Sequence, residues 1–199
     1  MANNNSQGFG LIPSATVGNT PAPQGQSKYK IDAAWGTTIY NGECVKDGSG
    51  YLVGGNGSAA DIYGVLNGIF YNAATTLKPT WANFYLATIT PANSEDTVAF
   101  VQDNPFSSFT VAMDALLDTT VAAAQAKFLQ TYDMNASAGS DTTGKSSSTL
   151  DLGTTSADGK QFRVLRVAED PENQDIAAAN CSVVFVQNLN QYNNGVTMA

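Results

Sequence analysis

The chain has 199 residues, which suits one domain with a core large enough to fold without disulfide bonds. Charged residues make up 13% of it, about half the usual quarter, and the net charge is -8 with no histidine. Scattered cations in an acidic chain argue against a nucleic-acid partner. A surface that is polar through Asn, Gln, Ser and Thr is easily dehydrated, so it suits a protein that buries much of itself against neighbours.

Residues 1–27 are rich in Asn, Gly and Pro, which predicts an extended N-terminal arm before a single β-rich domain at 28–199. The arm nevertheless carries bulky apolar side chains at Phe9, Leu11, Ile12 and Val17. A solvated tail has little use for such residues. We therefore expect the arm to dock on its own domain, on a sister subunit or on the surface that the protein binds.

No signal peptide or membrane span is expected. The N-terminus lacks a basic cluster and an apolar core, and no run approaches the about 18 apolar residues that cross a bilayer. The two cysteines, Cys44 and Cys181, are interpreted as buried thiols, because nothing points to export. These features favour synthesis and folding in a cytoplasm.

The middle of the chain predicts short strands separated by turns. Residues 64–71 are apolar on both faces, as in a strand between two layers, and 97–101 and 108–113 have strand composition. A hairpin turn is expected at 103–105, where Asp and Asn precede Pro. Residues 81–90, which follow Pro79, are predicted as a further apolar strand.

A helical period follows between Asp118 and Met134. Its apolar side chains fall at offsets of four, three and four: Leu117, Val121, Ala124 and Phe128. We expect one short helix capped by Asp118 or Thr119, with 128–134 as its last turns or a following strand.

Two closing strands, at 161–167 and 181–191, are predicted near the end of the chain, and the apolar run 182–186 should be central in its sheet. The predicted fold class is mainly β, a compact antiparallel barrel or sandwich with one short α-helix and the N-terminal arm.

Little in the sequence indicates chemistry. The lack of histidine excludes Ser-His-Asp and Cys-His catalysis, and no Cys cluster suits zinc. The acidic loop 168–175 has ligands of the kind that calcium prefers but not the spacing of a calcium loop, so a solvated connection is the favoured interpretation. Neither the glycines at 54–58 nor the Gly-Lys-Ser at 144–146 fits a phosphate-binding loop. We expect no catalytic, cofactor-binding or metal-binding residues.

Six short segments of the chain, taken in order, resemble a known family of proteins. One lies at the start of the chain, three lie in the middle and two lie near the end. They are GFGLIP (8–13), GVLNGIFY (64–71), KPTWANFY (78–85), VAFVQDNP (98–105), TGKS (143–146) leading to Leu150, and NLNQY (188–192). Their order, over about residues 9–192, resembles the capsid cement or head decoration proteins of tailed bacteriophages, a family of small virion structural proteins.

The resemblance implies a structural protein without enzymatic activity that binds the outside of an icosahedral capsid and holds neighbouring capsid subunits together. Its partners would be the major capsid protein and further copies of itself, with a trimer favoured over a dimer, on the outer surface of the virion. The arm and the loop 136–149 are the expected contacts. The side chains expected to touch the capsid or a sister subunit are Phe9, Leu11, Ile12, Val17, Thr143 and Lys145.

Two alternatives remain open. In a receptor- or carbohydrate-binding module of a tail fibre, solvent-facing aromatics such as Trp35, Tyr40 or Trp81 would stack on sugars. In a hydrolase, a carboxylate pair such as Glu95 with Asp96, or Asp170 with Asp175, would act as acid and base.

Overall fold

The computed structural model describes residues 2–5, 7–17, 25–55, 62–135, 137, 139–157 and 159–190. Within these residues the chain forms twelve strands, a short 3-10 turn at Ala92–Ser94 and one α-helix, α1, at Val121–Gln125. The strands are β1 Ile12–Thr16, β2 Ser27–Ile31, β3 Cys44–Gly48, β4 Tyr51–Gly54, β5 Gly64–Asn72, β6 Pro79–Ala82, β7 Thr97–Gln102, β8 Ser107–Ala112, β9 Thr131–Asn135, β10 Thr149–Ser156, β11 Phe162–Val167 and β12 Ser182–Gln187.

The strands form two antiparallel sheets, which confirms the mainly β fold in its sandwich form. Sheet A has the order β1-β8-β12-β11-β9-β10, and sheet B has the order β2-β7-β5-β3-β4, with β6 added on β5. The central position predicted for 182–186 is correct, because β12 lies between β8 and β11.

Two hydrophobic cores hold the sheets. The first contains side chains of sheet A, such as Phe109, Phe162 and Phe185, together with Cys44 and Val65 of sheet B. The second lies against sheet B and consists of Ile31, Ile39, Val45, Leu52, Leu66, Ile69, Tyr85, Ala99 and Val101. Neighbouring residues of β5 thus face different cores, as the apolar character of both its faces predicts.

The hairpin predicted at 103–105 is wrong, although a turn is present there. Ser107 N donates to Asn104 O at 3.0 Å, but the turn carries the chain from sheet B to sheet A. A hairpin cannot form because β7 already has β2 and β5 on its two sides, and β8 has β1 and β12.

The strand predicted over 81–90 is also shorter than expected. β6 ends at Ala82, and Tyr85 instead makes an isolated bridge to Ile39 while its buried ring packs into the second core. The apolar residues of this segment fill a core from an irregular loop, which a strand-like composition does not reveal.

The helix lies within the predicted region but has a different cap. Thr120 has extended backbone angles and its hydroxyl accepts a hydrogen bond from Ala123 N at 3.3 Å, whereas Asp118 accepts from Thr119 N. That hydrogen bond, together with the Lys127 ammonium at 3.3 Å, lowers the pKa of Asp118. α1 ends after Gln125, and Thr131 already begins β9.

The described part of the predicted N-terminal arm packs on its own domain, and residues 1, 6 and 18–24 of that arm lie outside the described residues. β1 pairs with β8 at the edge of sheet A, and Leu11 is 2% exposed in the first core. Residues 2–5 and 7–17 are therefore not a free arm, because the strand pairing and the buried leucine attach them to the sandwich. Cys44 and Cys181 are buried free thiols, as predicted.

Candidate interaction surfaces

Three apolar side chains remain exposed along β1 and the turn before β8. Ile12, Val17 and Phe106 are 48%, 44% and 50% exposed. Val17 N donates to Phe106 O at 2.8 Å, so the last two are adjacent, while Ile12 lies at the other end of the strand. We call Ile12, Val17 and Phe106 the edge surface. It contains two of the predicted contact residues, Ile12 and Val17, and adds Phe106, which was not among the predicted contact residues.

Two other predicted contact residues in this segment are less accessible. Leu11 is buried and its N–H donates to Gly42 O at 2.8 Å, so its assignment to an external contact is wrong. A leucine held by both its backbone and its side chain belongs to the fold. Phe9 is half-buried.

Thr143 and Lys145 are exposed, as the predicted contact requires. Their loop is nevertheless anchored: Asn83 Nδ2 donates to Thr143 O at 2.9 Å, and Asn41 N donates to Gly144 O at 2.8 Å. Ser146 in the same loop is buried. The loop thus presents two polar side chains from a fixed backbone.

The structure brings this loop beside the N-terminal segment. Gly10 N donates to Ser148 O at 3.2 Å, and Gly10 and Gly42 cross closely with φ of +74° and +78°. A Cβ on Gly10 would lie 2.9 Å from Gly42 O, so this crossing requires glycine. The two regions predicted separately therefore meet around residues 10–11, 42 and 146–148.

A second exposed apolar region lies on sheet B. Phe70 of β5 and Trp81 of β6 are paired across the strands, and they are 38% and 53% exposed. On the other side of β5, Val98 is opposite Phe70 and Phe100 is opposite Gly68. The Trp81 ring lies 5.1 Å from the Phe100 ring, tilted by 54°.

The position of Trp81 follows from its neighbours. A Cβ on Gly68 would lie 2.4 Å from the Trp81 ring, so the indole covers the backbone of β5 where no side chain stands. β6 has β5 as its partner and no other strand of the described chain beside it, so the outer part of the indole stays open to solvent. A sequence cannot show that a strand is at an edge.

Two cations border this region. Lys28 and Lys30 of β2 are exposed and lie opposite Phe100 and Val98 of β7. The Lys28 ammonium is 5.8 Å from the centre of the Phe100 ring, within reach of a cation–π interaction, and Lys30 pairs with Asp96 at 3.3 Å. We call Phe70, Trp81, Val98, Phe100, Lys28 and Lys30 the aromatic face.

The other aromatics proposed for sugar stacking are less available. Trp35 is partly buried against the second core. Tyr40 stacks on Phe84 at 5.9 Å, and its hydroxyl donates to Asp141 Oδ1 at 2.8 Å, which raises its pKa.

The acidic loop binds the N-terminal asparagines. Asn3 Nδ2 donates to the carbonyl oxygens of Asp175 and Ala179 at 3.0 and 2.9 Å, and Asn3 Oδ1 accepts from Asp175 N at 2.9 Å. Asn4 N donates to Glu172 O at 3.1 Å. The loop is an attachment site for the chain's own N-terminal segment.

The proposed carboxylate pairs are occupied by other contacts. Glu95 accepts from Asn72 at 3.4 Å, whereas its neighbour Asp96 pairs with Lys30. Asp170 accepts from Asn173 Nδ2 at 2.7 Å.

Among the described residues no group of three or more Cys, Asp or Glu side chains is arranged to hold a metal ion. No helix in the described ranges is long and apolar enough to cross a membrane.

Within the described residues the chain is a two-sheet antiparallel β domain with a packed N-terminal strand, and its exposed apolar side chains include those of the edge surface and of the aromatic face. The chain matches no family model, no curated protein and no solved structure in the comparisons made.

Proposed function

We propose that this protein is a virion structural protein that binds the outer surface of an icosahedral phage capsid and stabilises the contacts between capsid subunits, without enzymatic activity. The observation that carries the proposal is the edge surface, a set of exposed apolar side chains on an edge strand of a domain with few charges. The resemblance in the order of the sequence segments gives this surface its proposed partner.

The chemistry of the edge surface suits a side-chain contact. β1 is at the end of sheet A, but Pro13 has no N–H to donate and the pairing with β8 is irregular between Pro13 and Ala15. Both features discourage the addition of a further strand. Ile12, Val17 and Phe106 can instead insert into apolar depressions of the capsid, with Thr143 and Lys145 on the neighbouring polar loop.

Stabilisation would come from repetition. An ordinary interface buries about 1,600 Å² in total, and a small symmetric oligomer that touches several capsid subunits gains from each further contact once the first has formed. A trimer is the favoured oligomer. Because few charged groups must lose water on binding, more of the apolar burial remains as net stabilisation.

The test is cosedimentation of purified protein with empty capsids of the phage whose genome encodes the chain. Deleting the N-terminal segment would also remove Leu11 from the core, so point variants are the sharper tool. The variants are I12A, V17A and F106A, singly and combined, and the control is V121A, which truncates an exposed residue of α1.

We expect wild type and V121A to saturate the capsid at the same stoichiometry. The triple variant should bind about tenfold more weakly or worse, because truncation of central apolar contacts commonly costs more than 1 kcal/mol. If the triple variant folds and binds as wild type does, the edge surface is not the contact. If wild type itself ignores capsids, the proposed function is wrong.

A further inference from the structure

The aromatic face is not used by the proposed function. The edge surface belongs to β1 and the turn before β8 of sheet A, whereas the aromatic face is built from β2, β5, β6 and β7 of sheet B. A protein that docks through the edge surface can keep the aromatic face free. Exposed aromatics gathered in one place, with cations beside them, indicate a binding site.

We propose that the aromatic face binds an anionic carbohydrate, with a sugar ring stacked on Trp81 and a carboxylate or sulfate group of the sugar directed to Lys28.

The stacking partner follows from the indole. The C–H bonds of a pyranose ring are polarised by the ring's oxygens, so they are attracted to the negative face of an aromatic ring, and Trp offers the largest such face. Trp81 is more than half exposed and is held in place by contact with Gly68 and Phe100. An aromatic side chain fixed in this way loses little entropy when a ligand stacks on it.

The anionic character follows from the charges. The chain has net charge -8, yet two of its nine cations border the aromatic face. Lys30 is already paired with Asp96, while within the described ranges no carboxylate is paired with Lys28. The Lys28 ammonium lies over the Phe100 ring, next to the tryptophan, where it could meet the acid group of a stacked sugar.

The alternative occupant is a second copy of the chain, which the solution mass tests below. An acidic, hydroxyl-rich polymer matches this face more closely, because it presents acid groups at intervals along a chain of rings that otherwise stack and hydrogen-bond, as Lys28 beside Trp81 and Phe100 requires. Two residues along β5 from Phe70, on the same face, the amide oxygen of Asn72 can accept from a sugar hydroxyl, while Asn72 Nδ2 donates to Glu95 Oε2 at 3.4 Å.

The experiment is isothermal titration calorimetry of the full chain with two probes: a galacturonate oligosaccharide, which carries a carboxylate on each ring, and a cello-oligosaccharide, which is neutral. The variants are W81A, W81F and K28Q, with V121A as the control. Because Trp81 also covers Gly68, the free energy of unfolding of each variant is measured beside its affinity. W81F keeps an aromatic ring over Gly68. It therefore tests the stacking interaction even if W81A is defective in folding.

We expect wild type and V121A to bind the galacturonate probe more tightly than the neutral one. W81A should bind at least tenfold more weakly, and W81F should keep affinity within about threefold. K28Q should bind the galacturonate probe about two- to fivefold more weakly, with no change for the neutral probe, because one exposed charge pair is lost. Added salt should weaken the binding of the galacturonate probe and leave the binding of the neutral probe unchanged.

Three kinds of result would overturn the proposal. One is a negative binding test, in which neither probe binds at millimolar concentration or W81A binds the galacturonate probe as well as wild type does. Another is a concentration-dependent mass that W81A abolishes, which would make the face a contact between copies. The third is that W81A loses capsid binding while the edge-surface variants keep it, which would make the face the capsid contact.

Discussion

The substitution L11A tests whether the N-terminal segment belongs to the folded domain. Leu11 is 2% exposed and packs in the first core, while its neighbour Ile12 is 48% exposed. Truncating a fully buried leucine removes its transfer free energy and leaves a cavity, which together cost about 2–5 kcal/mol. In a chain of this length each kcal/mol lowers the melting temperature by about 2–4 °C, so we expect a fall of about 4–20 °C.

The matched control is I12A, which removes a comparable volume from a half-exposed position and should cost about 1 kcal/mol or less. Unfolding would be followed in urea by tryptophan fluorescence and by circular dichroism, with the two probes compared for coincidence. If L11A and I12A are equally stable, then Leu11 is not in the core in solution. Residues 2–17 would then be an arm detached from the sandwich.

Three further predictions concern the buried thiols, the stability at high pH and the N-terminal attachment. Burial raises the pKa of Cys181 to about 11 and that of Cys44 further, so neither thiol should react with a disulfide reagent at pH 8 until the chain is unfolded. Because the pKa of Cys181 is higher in the folded chain than in the unfolded chain, its contribution to stability is complete below about pH 9 and is lost as the pH rises through about 11. The urea midpoint of unfolding should therefore fall between about pH 9 and pH 11. A midpoint that does not change over this pH range would contradict the burial of the thiol. The variant N3A removes the hydrogen bonds to Asp175, Ala178 and Ala179. It should lower the free energy of unfolding by about 1–2 kcal/mol and raise the rate of amide hydrogen exchange in the acidic loop. An unchanged exchange rate in that loop would show that the N-terminus is not bound there.

The strands could be predicted because their composition and the alternation of their apolar residues are local features of the sequence. The apolar run of β12 could only be a central strand, and the apolar character of both faces of β5 required two layers. The turn at Ser49 and Gly50 joins β3 to β4, and Asp47 Oδ1 accepts from Gly50 N at 2.8 Å, an interaction typical of an Asp-Gly-Ser-Gly sequence.

Long-range pairing was not predictable from such patterns. The composition of β7 and β8 suggested a hairpin, but which strands flank each of them depends on contacts between distant segments. The same limit explains the interaction surfaces. Leu11 and Ile12 are adjacent apolar residues in the sequence, and only the pairing of β1 with β8 decides that one is buried and the other exposed.

Trp81 shows the limit most clearly. An apolar strand with a tryptophan is typical of a core, and the sequence also allowed a sugar-stacking platform. Trp81 is exposed because β6 is short and pairs with β5 and with no other described strand. Gly68, which has no side chain, also leaves room beneath the indole. Neither fact is local to residues 78–85.

The measurement that tests the proposed function most directly is the melting temperature of empty capsids with and without saturating protein, together with the number of copies bound per capsid. A capsid-stabilising protein should bind at a fixed stoichiometry set by the capsid's symmetry and raise the capsid melting temperature, and the combined I12A, V17A and F106A substitutions should reduce both. Capsids that melt at the same temperature with the protein bound, or that bind none, would contradict it.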